Sequence, residues 1–149
     1  MRVLIAIVSA ASLVLAACSS GAVPAGASAG ERTITVEMRD FGYSPSTIKL
    51  APGERVTLIV KNAGTVEHEF MAGRNAMAGK GYERDWLVMA VGEHGGGHDM
   101  GHTGSGTRVA PKNNASLSLV VPTEKGEFEF GCFVPGHYEA GMKGKLVVE

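Results

Sequence analysis

Apolar and polar positions alternate along most of this chain. Residues 33–38 (TITVEM) place Ile34, Val36 and Met38 on one face of a strand, and 55–61 do the same with Val56, Leu58 and Val60. Residues 116–121 alternate through Leu117 and Leu119 until Pro122 stops them, and 127–130 put Phe128 and Phe130 on one side. Shorter runs at 47–50, 66–70, 86–91 and 145–148 read as further strands. Turn signals separate them: Tyr43 to Pro45, Ala51-Pro52-Gly53-Glu54, and Asn62-Ala63-Gly64. No window holds a helical period for long. Short strands divided by turns predict an all-β fold, a Greek-key β-sandwich. One stretch, about 72–110, breaks the rhythm with Gly73, Gly79, Gly81, Gly92, Gly95, Gly96 and Gly97 among others. It predicts a glycine-rich insertion with little regular structure apart from the strand at 86–91.

Composition narrows the function classes. The 149 residues suit one domain, and 44% hydrophobic against 19% charged residues suits a packed core. The formal net charge of −1 leaves no basic surplus to neutralise phosphates, which argues against nucleic acid as a partner.

The N-terminus reads as an address. Arg2 precedes an apolar run from Val3 to Ala17, interrupted only by Ser9 and Ser12. A spanning helix needs about 20 apolar residues; this run is shorter and fits the apolar region of a secretory signal. It closes on Leu15-Ala16-Ala17-Cys18, which resembles the bacterial lipoprotein box, where cleavage before the cysteine leaves a lipidated thiol. A plain signal peptide cut nearby, with Cys18 incidental, is the alternative, and both export the protein. Residues 19–30 carry no charge and almost no bulky side chain, so they cannot offset their ordering entropy. The expected organisation is a signal peptide at 1–17, a lipidated Cys18 with a flexible tether at 18–30, and one folded domain at 31–149. The expected location is the periplasm or outer cell surface, with the membrane held through the lipid.

The chemistry gathers near the C-terminus. Cys132, His137 and Met142 follow one another as C-x4-H-x4-M between two predicted strands, and His68 lies far upstream beside another. One thiolate, two imidazoles and one thioether are the ligand set of a mononuclear blue-copper site, with two histidines and a cysteine in plane and a weak axial methionine. Zinc accepts such ligands too, but structural zinc sites usually show paired Cys-x2-Cys or His-x3-His spacings. Taken singly, each residue has a plainer reading: Cys132 as an inert buried thiol, Met142 as core filler, His68 and His137 as polar or surface side chains. Their order and spacing together favour metal. Cys132 is the one thiol left after Cys18 is assigned to lipid, so no disulfide framework is expected. Trp86, Phe128 and Phe130 read as core packing.

These residues resemble the cupredoxins, the small copper proteins that include plastocyanin, azurin, auracyanin and rusticyanin. The C-x4-H-x4-M spacing is closer to rusticyanin- and auracyanin-like members than to plastocyanin. The resemblance covers roughly 31–149 and is poorest in the glycine-rich stretch. It implies a Greek-key sandwich, one copper on His68, Cys132, His137 and Met142, and one-electron transfer. Glu69 departs from the pattern: many members place Asn or Ser directly after the first histidine, where it ties the two ligand loops together. That departure bears on the groups around the ligands, and through them on the potential and spectrum, which the sequence does not fix.

A second motif, Glu93-His94-Gly95-Gly96-Gly97-His98-Asp99-Met100-Gly101-His102, offers His94, His98, Met100 and His102 as a second, weaker copper site. A solvated glycine loop with incidental histidines is the plainer reading. Three functions then compete. An electron carrier exchanging with redox protein partners as a monomer ranks first, and a copper-binding protein for tolerance or delivery second. An oxidase or reductase ranks a distant third, because multicopper enzymes need His-x-His pairs and a dinuclear site needs two loop cysteines, neither of which occurs.

Overall fold

The structure is a computed structural model that describes residues 31–91 and 106–149. Ten strands and one short helix fill these residues. They are β1 (Arg32–Arg39), β2 (Gly42–Ser44), β3 (Thr47–Leu50), β4 (Arg55–Asn62), β5 (His68–Met77), β6 (Gly81–Asp85), α1 (Trp86–Val91), β7 (Thr107–Val109), β8 (Asn114–Val120), β9 (Gly126–Gly131) and β10 (Lys143–Val148).

Two sheets form the sandwich. One runs β2-β1-β4-β8; the other runs β3-β10-β9-β5-β6, with β7 added on β5. The β1–β4 and β3–β10 pairs are parallel and the remaining pairs antiparallel, so chain neighbours are often separated in space, as a Greek key requires. The alternation read from sequence sets which face goes inward. Val36 and Met38 of β1, Val56, Leu58 and Val60 of β4, and Leu119 of β8 meet Ile48, Phe70, Phe128, Phe130 and Leu146 of the other sheet. Trp86 is fully buried and tilts against Phe128, and Tyr43, Phe70 and Phe130 pack as a trio of rings.

Three expectations need correction. Residues 86–91 form a helix, not a strand. Asp85 caps it: its Oδ1 accepts from the Leu87 and Val88 amides at 2.9 and 3.2 Å. Trp86, Leu87 and Ala90 are buried while Val88 and Met89 face solvent, which is a helical pattern compressed into six residues. The described parts of the stretch 72–110, residues 72–91 and 106–110, are also more regular than expected. β5 runs on to Met77, turns back through Gly79 and Gly81, both at positive φ, and pairs with β6. At Gly73 a Cβ would lie 2.3 Å from the Arg84 carbonyl, so this glycine permits the pairing rather than breaking it. β7 closes the stretch by pairing its Val109 with His68. Finally, the turn expected at Tyr43 to Pro45 contains strand β2, whose Tyr43 points into the core.

Candidate metal centre

The four predicted ligands come from one end of the sandwich. His68 is the first residue of β5, where pairing to β7 fixes its backbone, and its ring is fully buried. Cys132 follows the last residue of β9, and Met142 precedes the first residue of β10. The loop between them is closed by its own backbone. Cys132 N–H donates to the Met142 carbonyl at 3.1 Å, Met142 N–H to the His137 carbonyl at 3.0 Å, and His137 N–H to the Val134 carbonyl at 3.0 Å. Gly136 and Gly141 take the positive φ that so tight a loop needs.

Three donor atoms converge. His68 Nδ1 lies 3.2 Å from His137 Nδ1, and Cys132 Sγ lies 3.3 Å from His137 Nδ1. All three atoms fall within 4.8 Å of one another. Two metal–nitrogen bonds of about 2.0 Å spread over a trigonal plane would separate their nitrogens by roughly 3.5 Å, so the spacing is close to what one ion requires. Met142 is fully buried and locked by backbone bonds to both loop ligands.

The surroundings prepare these atoms. His68 Nε2 lies 3.2 Å from Asp40 Oδ1, which leaves Nδ1 for the metal side. Asp40 is held by the Thr65 amide at 3.0 Å and the Thr65 hydroxyl at 2.9 Å. Those bonds, and then His68, keep its carboxyl below the usual carboxylate range. Burial pushes the Cys132 thiol up, against hydrogen bonds from the Glu69 and Val134 amides that favour the thiolate. His137 is half-buried, and Phe41 packs edge-on against its ring at 5.5 Å. Desolvation, then the neighbouring His68, lowers its pKa.

Glu69 ties the loops in a way its side chain did not suggest. Its amide donates to Cys132 Sγ at 3.3 Å, so the backbone bridges β5 to the thiol. The carboxylate turns away to Arg108 of β7 at 3.3 Å, and the carbonyl accepts the Tyr43 hydroxyl at 2.6 Å. Asn62, read from the sequence only as part of a turn, staples the connection leading to His68. Its amide nitrogen donates to the Val66 and Val109 carbonyls, each at 2.8 Å, and its oxygen accepts the Gly64 amide at 2.8 Å. The turn signal Asn62-Ala63-Gly64 was the available clue, but not that Asn62 would be fully buried. Cys18, His94, His98, Met100 and His102 lie outside the described residues.

A family model described as a cupredoxin-like domain matches residues 5–76. The copper-resistant cuproprotein CopI of Rubrivivax gelatinosus is 39% identical over 128 residues, spanning 84% of this chain and 71% of that protein. The chain belongs to the cupredoxin family. A second copper-resistant cuproprotein CopI, from Pseudomonas aeruginosa, is 32% identical over 148 residues, spanning 85% of this cupredoxin and 81% of the relative. Among solved structures, auracyanin A of Chloroflexus aurantiacus aligns with a TM-score of 0.56 at 23% identity, over 80% of this chain and 100% of that one. An auracyanin from Roseiflexus castenholzii aligns at 0.55 and 24%, over 78% and 96%. These two carry the fold of this cupredoxin.

Proposed function

We propose that this cupredoxin binds one copper ion at His68, Cys132, His137 and Met142 and serves copper tolerance at the cell envelope. The observation that carries the reading is the convergence of His68 Nδ1, His137 Nδ1 and Cys132 Sγ at one buried point. The donors fit copper: thiolate and thioether suit Cu(I), and imidazole suits both oxidation states. Tolerance ranks ahead of electron carriage, reversing the order expected from sequence, because the relatives at 39% and 32% identity are copper-resistant cuproproteins.

Copper bound there would supply one-electron chemistry between Cu(I) and Cu(II). The protein's own part is to hold the donors. Asn62 and Asp40 fix His68, the Glu69 amide supports the thiolate, and the 132–142 loop holds the other three ligands. With its thiol and both imidazoles turned to one ion, the reading is of a binding protein rather than an enzyme. One-electron carriage is the second reading. It is favoured by a preorganised ligand set with one partly exposed edge at His137, facing redox proteins that exchange with a monomer.

Export belongs to the same proposal: residues 1–17 act as the signal peptide and Cys18 carries a lipid that holds the protein to the membrane. His94, His98, Met100 and His102 would take further copper weakly, since ordering so glycine-rich a chain costs entropy.

Copper titration with visible spectroscopy and metal counting tests the site. One tight copper with a strong thiolate-to-metal absorption is expected, and Cys132→Ser should bleach it even where metal still binds. Unchanged absorption in that variant refutes the assignment. Growth of a deletion strain on excess copper separates the roles: sensitivity supports tolerance, and normal growth supports carriage.

A further inference from the structure

We propose that Asp40 is the positioning residue of this site, holding His68 with Nε2 protonated and Nδ1 bare and biasing the bound metal towards its oxidised form. The second half of this rests on the copper reading above. His68 begins a strand of one sheet, while Asp40 lies just past β1 of the other, so the contact crosses the sandwich at its metal-binding end. The carboxylate is not a loose surface group. Oδ1 lies 3.2 Å from His68 Nε2 and accepts the Thr65 amide at 3.0 Å, and Oδ2 accepts the Thr65 hydroxyl at 2.9 Å. The chain between Thr65 and Asn62 is shaped for the same contact. A Cβ at the buried Gly64 would stand 2.5 Å from Asp40 Oδ1 and 2.7 Å from His68 Nε2, so only glycine leaves the pair room.

An imidazole has two nitrogens and, when neutral, one proton. A carboxylate against Nε2 keeps the proton there, which frees the Nδ1 lone pair that faces Cys132 and His137. It also adds a negative charge one ring away from the metal, and that makes the imidazole a stronger donor. A stronger donor favours Cu(II) over Cu(I). The side chain of Asp40 is 40% exposed, so solvent screens part of the effect without removing the hydrogen bond.

The test uses Asp40→Ala and Asp40→Asn in the full chain. Nitrogen-15 histidine NMR of metal-free protein should show His68 as the Nε2–H tautomer in wild type and in Asp40→Asn, whose amide oxygen still accepts. In Asp40→Ala the Nε2–H population should fall. Gly64→Ala should lower it too, by pushing the pair apart while leaving the charge in place. With copper, both Asp40 variants should lose roughly 10-fold in Cu(II) affinity with less loss for Cu(I), and each tenfold difference raises the potential by about 59 mV. Circular dichroism should show the sandwich intact in Asp40→Asn. An unchanged tautomer in Asp40→Ala overturns the proposal whatever the copper content, and so does an unchanged potential in Asp40→Asn. A wild-type protein that takes up no copper refutes the copper reading instead, and the metal-free tautomer still decides the role of Asp40.

Discussion

The two histidines of the proposed copper site are supported in opposite ways. His68 starts a sheet strand, is fully buried, and has its outer nitrogen against a carboxylate. His137 rides on a loop, is half-buried, and packs beside the rings of His68 and Phe41 rather than against a carboxylate. The first is built into the core and the second is laid over the site. A metal ion or an electron therefore has its short route to solvent on the His137 side. The rigid side fixes where the ligands meet, and the loop side decides access.

The largest effect expected from that contrast comes from deleting each ring. His68→Gly should leave a buried hole beside Asp40 and destabilise the protein by about 2–4 kcal/mol, with copper binding not restored by added imidazole. His137→Gly should cost little stability and regain its visible absorption when imidazole is supplied, since the gap opens to solvent. Equal rescue of both variants would break the comparison. Asn62→Ala comes next. It strands the Val66 and Val109 carbonyls and the Gly64 amide behind His68, and a loss of about 3 kcal/mol in denaturant melts is expected. Met142→Leu should be milder: copper stays bound and the potential rises, because a weak axial donor that favours Cu(II) is gone. A fall in potential by voltammetry would remove Met142 from the ligand set.

The smallest effect is with pH. The fold lowers the pKa of His137, so it favours the neutral ring. Stability from this source is complete above the unfolded value of about 6.5 and is lost as pH falls through the lower folded value. Metal-free protein should melt at a lower temperature at pH 5 than at pH 7.5, and His137→Asn should flatten that dependence. The Asp40 carboxyl acts in a separate window, below its ordinary value of 3.8.

Much of this arrangement was legible in the chain. Strict alternation at β1, β4, β8 and β9 reports burial of one face, and that periodicity survives in any sandwich. Cys132 and His137 were legible together because one loop holds both, and the fold brings them to His68. What stayed hidden depends on contacts between distant segments. Asp40 follows an ordinary strand, and no local pattern links it to His68. Residues 86–91 hid a helix because Trp86, Leu87 and Val88 suit strands, while the capping role of Asp85 shows only when its carboxylate meets the Leu87 and Val88 amides. Glycines 73, 79 and 81 looked like breakers but shape a hairpin, since packing rather than propensity decides what a glycine permits.

The division of the proposed ligands between one loop and one remote strand also governs the unfolded chain. Cys132, His137 and Met142 stay close in sequence when nothing is folded, whereas His68 joins them only once β5 has paired with β9. An ion added before folding therefore meets a partial chelate at once. Closing the long loop back to His68 costs conformational entropy that grows only slowly with its length. Because the denatured ensemble competes for the ion, metal should raise the melting temperature by less than its affinity for the native protein implies. Refolding with the ion already present should start from a preloaded 132–142 segment, and the arrival of His68 would then report the moment the second sheet assembles.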